Sequence, residues 1–187
     1  MESRDEGGRS AFAGRDPGLM AGRHALMELV AGNQQEILVA IGTDDLAGLA
    51  DRRRFAAHLG LGAGLDPTWL DLFSEAARSV TGTDEPQDFL DARRELDSVG
   101  AGGPGSRLDD ASERTIERVD PRWVEAIARL DDSQIDRVAG RWIDLLDEEL
   151  GALPREEKPW IRQLAGELVA FCRAAQRAPD ILFAWSL

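Results

Sequence analysis

Tyrosine is absent from this chain, cysteine occurs once and histidine twice. Each scarcity closes a route. A single thiol, Cys172, has no partner for an internal disulfide, which fits a reducing compartment and a cytoplasmic location. Two histidines and one cysteine cannot supply a histidine-rich metal site; the plentiful carboxylates leave an oxygen-ligand Mg²⁺ or Ca²⁺ site open, but no stretch has EF-hand spacing, and no metal or cofactor is expected. Lysine is nearly missing too. Lys158 stands alone among 22 basic residues, the other 21 being arginine, a bias that reads as coding composition rather than as selection at a site. Long apolar runs are lacking: "ILVAI" and "ILFAW" are five residues each and far too short to span a bilayer. The opening "MESRDEGGRSAFAGRDPG" is polar and lacks the apolar segment of a secretory leader. No P-loop, HExxH, paired CxxC or GxSxG elbow occurs.

The chain does carry charge of one sign. Its 35 acidic residues against 22 basic ones leave a net charge of −13. That field disfavours nucleic acid, whose binding depends on Lys and Arg displacing phosphate counterions, and it disfavours an anionic membrane surface. A cationic protein, or self-association, is the partner class left open. At 43% hydrophobic residues the 187-residue chain has enough apolar material for a core.

Two segments open alike, "DPTWLDLF" at Asp66 and "DPRWVEAI" at Asp120. Helix capping explains both. The aspartate accepts from free N–H groups of the first turn, and proline at the first helical position gives up an N–H that has no partner anyway. Trp69, Phe73, Ala76 and Val80 then recur at helical spacing, and Gly82 ends the first helix. In the second, Trp123, Val124, Ile127 and Leu130 form the inward stripe. Asp131 and Gln134 have capping-box spacing before a long helix with Ile135, Val138, Trp142, Leu145 and Leu146 inward, stopped by Gly151 and Pro154. A last helix places Ile161, Leu164, Ala165, Leu168, Cys172 and Ala175 on one side. Weaker patterns predict a helix from Leu19 to Ala31, short helices over "TDDLAGLADRRRFAAHLG" with His58 near a C-terminus, and a helix at 85–98. "GLGAG" at 60–64 reads as a helix C-cap and turn.

These readings predict a mainly α protein: a single-domain helical bundle of about five to seven helices. Residues 1–18 form a flexible tail, and 19–187 form the domain, with a glycine-rich loop at 99–106. "EILVAIG" suits a buried strand as well as a helix end. Paired with the C-terminal segment it would make one small strand pair, 36–41 with 181–186. Trp69, Phe73, Trp123, Trp142, Trp160 and Leu168 are expected to be buried.

Two functional classes follow. The first is a non-catalytic interaction or regulatory module, with Phe183 and Trp185 as candidate partner contacts because aromatic residues dominate interface hot spots. The second is a small-molecule enzyme or binding protein with a carboxylate-rich site. Its candidate catalytic residues are Asp44 and Asp45, read as lying beyond a strand end, together with His58.

Overall fold

The computed structural model describes residues 27–61, 65, 67–83, 88–91 and 115–185. The expected tail at 1–18 and the glycine-rich loop at 99–106 lie outside them. The fold is mixed, not a helical bundle. Four strands form one antiparallel sheet: β1 (Met27–Gly32), β2 (Ala57–Gly60), β3 (Thr115–Arg118) and β4 (Asp180–Trp185), in the order β2-β1-β4-β3. Among the described residues five helices accompany it: α1 (Gln34–Gly42), α2 (Pro67–Thr81), α3 (Pro121–Ala128), α4 (Asp132–Leu150) and α5 (Lys158–Ala175).

Strand β1 replaces the helix expected up to Ala31. It lies inside the sheet, Met27 facing Trp185 and Ala31 facing Ile181 on one side, with Ala31 facing Ala57 on the other. Both of its faces are covered. Met27, Leu29 and Ala31 join the main core, while Val30 joins a second one. A strand buried on two sides shows a continuous apolar run instead of alternation, which is why its sequence mimics a weak helix.

The C-terminal strand is present, but its partners are β1 and β3 rather than residues 36–41. Those residues are helical. Asn33 accepts N–H bonds from Gln35 at 3.0 Å and Glu36 at 3.3 Å, starting α1. Ile37, Ala40 and Ile41 then face inward at the spacing of one helical stripe. The stretch expected to end in a helix at His58 instead gives a short 3-10 turn (Gly48–Ala50) and β2. Of the helix expected at 85–98, residues 88–91 are described, and they run along the sheet edge. Leu90 bridges Val119, and Phe89 O accepts the Asp120 N–H at 2.9 Å.

The sheet is thus the middle of three layers. α1 covers part of one face over a small core of Val30, Ile37, Ile41, Phe55 and Leu182. The other four helices build the larger core on the opposite face. There α5 packs against α3, α4 and β2, and α2 packs against α4. Its centre is aromatic. Trp142 lies 4.8 Å from Phe73, Phe89 lies 5.0 Å from Trp123, and Phe89 meets Phe183 edge-on at 5.3 Å. Helix starts follow the capping logic: Asp120 accepts the Arg122 N–H at 2.8 Å ahead of Pro121, and Gln134 Oε1 accepts the Asp131 N–H at 3.0 Å. Asp66 lies outside the described residues.

Candidate functional site

The residues singled out for acid–base chemistry are each held by another neighbour. Asp44 sits at φ 60° in the turn after α1. Asp45 accepts the Gly48 N–H at 3.0 Å and pairs with Arg54 at 3.3 Å, serving the 3-10 turn. His58 lies on β2, where Nε2 is 2.6 Å from Glu28 on β1. Strand pairing makes that contact, since Val30 faces His58 and Glu28 points to the same side as Val30. Among the described residues no three His, Cys, Asp or Glu side chains cluster closely enough to hold a metal ion. Phe183 is inside the core at 1% exposure. Trp185 is half-buried and donates its indole N–H to Glu117 at 3.0 Å. Cys172 is buried in the core, and that burial pushes its thiol pKa well up, so it carries no thiolate at neutral pH.

Polar order elsewhere is concentrated at one latch. Asp180 at the start of β4 takes Arg118 Nη1 at 2.5 Å and the first amide of α1, Gln34 N, at 3.2 Å. Arg118 also donates to Gln34 Oε1. The adjoining cleft, lined in part by Arg118, Asp180 and Asp91, measures about 90 Å³, room for a few waters. Three distant chain segments meet there.

The surface feature that capping and periodicity did not foresee is at the turn between α4 and α5. Trp160 was expected inside and is 39% exposed; Leu150, ending α4, is 51% exposed. The reason for the correction is angular. The buried stripe of α5 begins at Ile161, and its predecessor projects about 100° away. That offset could have been read from the sequence.

The segment running from the end of α4 into α5 holds six carboxylates, from Asp144 to Glu157, against Arg155 and Lys158. Glu148 contacts Arg141 at 3.5 Å. Asp144, Glu149, Glu156 and Glu157 are exposed, with no ion pair among the described residues. The turn carrying them is fixed by Asp147, whose Oδ1 accepts the Leu153 N–H and whose Oδ2 accepts from Lys158 Nζ, each at 2.7 Å. The bond from Lys158, helped by the Leu153 N–H, holds the Asp147 carboxyl below the usual aspartate range.

That direction has a pH signature. A carboxylate with a lowered folded-state pKa stabilises the fold above its unfolded pKa, and the contribution fades as pH falls through the folded value. The exchange protection factor of the Leu153 amide is therefore expected to hold steady from pH 7 down to about 4, the ordinary aspartate range, and to collapse in more acid solution. In Asp147→Ala it is expected to be low throughout. Hydrogen exchange at this one amide checks both arms.

No family model, no curated protein and no solved structure matches the chain.

Proposed function

We propose that the chain is a non-catalytic interaction module that docks a cationic, amphipathic protein segment at the α4–α5 turn. The observation carrying this reading is Trp160, a tryptophan left at the surface in a segment that also holds exposed Leu150 and four exposed carboxylates with no ion pair among the described residues. An exposed indole among carboxylates suits Lys and Arg twice over: the ring face attracts the cation, and the neighbouring carboxylates neutralise it. Tryptophan is also among the residues that contribute most when an interface closes over them. The wider charge of −13 speeds the approach of a basic partner. It opposes a second copy of the chain at this turn, since like surfaces would meet. Among the described residues no helix is long and apolar enough to cross a membrane.

The test uses a labelled 20-residue amphipathic helix of lysine and leucine, titrated while fluorescence anisotropy is read. Binding is expected to weaken with salt, and Trp160→Ala is expected to weaken it at least about tenfold, as hot-spot truncations do, without moving the melting temperature. Glu156→Lys with Glu157→Lys should weaken it strongly. Glu36→Lys with Glu75→Lys, an equal charge change on exposed residues elsewhere, should leave it within about twofold, as expected of distant independent sites. Equal losses in both pairs would reduce the effect to bulk charge and end the proposal.

A further inference from the structure

Arg78 stands apart among the half-buried arginines of the described residues: Arg118 and Arg141 each pair with a carboxylate, and Arg78 does not. Six others (Arg54, Arg118, Arg122, Arg129, Arg141 and Arg173) each meet a carboxylate within 4 Å. Arg78 is half-buried on α2, and its Nε is closed off from solvent with no hydrogen-bond partner. Its guanidinium makes no ion pair among the described residues. Leaving a donor of a charged group unsatisfied costs folding free energy, and the chain holds 35 acidic residues that could have met it.

Arg78 lines a pocket of about 500 Å³ between the second half of α2 and the α3–α4 junction. That volume falls within the range of small-molecule sites. Ser74, one turn before Arg78 and 2% exposed, lines it as well. Leu130 adds an apolar wall, Thr83 a hydroxyl, and Asp131 a carboxylate.

The charges select the ligand. A guanidinium fork matches a carboxylate in two parallel hydrogen bonds. Arg129, the other cation here, is 75% exposed and pairs with Glu125 at 3.1 Å, so solvent screens its charge. With Arg78 the one half-buried cation and Asp131 lining the same space, a dianion such as phosphate is poorly matched, whereas an ammonium or hydroxyl finds an acceptor. We propose that this pocket binds a small organic monocarboxylate that also carries an ammonium or hydroxyl donor, the free amino acids being its simplest members. The site is separate from the docking turn: it opens at the start of α4, and that turn lies at the far end, about 28 Å away for 19 helical residues.

The experiment titrates the full chain by calorimetry with each of the standard amino acids, their carboxamides and inorganic phosphate. At least one amino acid is expected to bind with a Kd below about 1 mM, and its carboxamide at least about tenfold more weakly, the loss expected for a charge-assisted pair. Arg78→Gln should weaken the amino acid by a similar factor, while Arg129→Gln stays within about twofold, its side chain being 75% exposed and screened by solvent. Without ligand, Arg78→Gln should melt at or above the wild-type temperature, because a group reserved for a ligand is held at a cost to stability. Absence of binding by every amino acid overturns the proposal. So does unchanged affinity in Arg78→Gln, phosphate binding as tightly, or a ligand-free Arg78→Gln protein melting several degrees lower. Peptide docking at Trp160 should be the same in wild type and Arg78→Gln, so the two readings fail separately.

Discussion

Replacing Trp142 with alanine is expected to cost about 4 kcal/mol of folding stability, in the range for deleting a large buried aromatic. The side chain is fully buried at the meeting of α2 and α4. Its ring lies 4.8 Å from Phe73, and its indole N–H donates to Trp69 O at 2.8 Å. Truncation therefore opens a cavity and removes an indole hydrogen bond together. Trp142→Phe separates the two effects. It keeps most of the ring and loses the donor, so about 0.5–1.5 kcal/mol is expected, the net contribution of one hydrogen bond to an acceptor that keeps its helical partner. Against a total stability of about 5–15 kcal/mol, the alanine change removes a large share. Urea unfolding followed by circular dichroism gives the numbers. Trp160→Ala, at an exposed position, should fall within about 0.5 kcal/mol of wild type, and that contrast divides the tryptophans into structural and available ones.

The second large effect is expected at the latch. Asp180→Ala removes the carboxylate shared by Arg118 and the Gln34 amide. Cutting one partner from a fully buried pair costs about 3–5 kcal/mol. These side chains are 15% and 20% exposed, so solvent screening lowers the expectation to about 2–3 kcal/mol. Arg118→Ala should cost a similar amount for the same reason. The double variant should cost clearly less than the two summed, because the second change removes a charge already orphaned. Strict additivity would mean that the pair does not hold α1 to the sheet.

Why these two residues matter so much also explains what the sequence could reveal. Helices α2 to α5 are legible because their burial is one-sided: the stripe Ile161, Leu164, Leu168, Cys172 leaves a polar face, and periodicity sees the difference. Asp120 with Pro121 and Gln134 with Asp131 mark their starts by local chemistry.

The sheet was hidden for the opposite reason. β1 is covered on both sides, β2 has four residues, and β1 meets Trp185 across most of the chain length. No local pattern encodes such a pairing. A local signal was available for α1, because Asn33 and Glu36 stand at capping-box spacing ahead of "ILVAI". With that helix assigned, 36–41 could not have been paired with the C-terminal strand.

The functional features divide along the same line. Trp160 was legible in principle, one residue off the buried stripe of α5. Arg78 was not. Its isolation depends on which carboxylates fold elsewhere, as Asp45, Asp120, Asp132 and Asp180 do when each takes a different arginine. The Glu28–His58 contact is of the same kind, made by strand register between residues 30 positions apart.

The docking reading meets its most direct test in amide and indole NMR shifts of the ¹⁵N-labelled protein during titration with the lysine–leucine helix. The largest changes are predicted at the Trp160 indole, Leu150, Glu156 and Glu157, with α1 and the sheet unmoved. Shifts gathered instead on α1, or spread evenly over every exposed carboxylate, would contradict it.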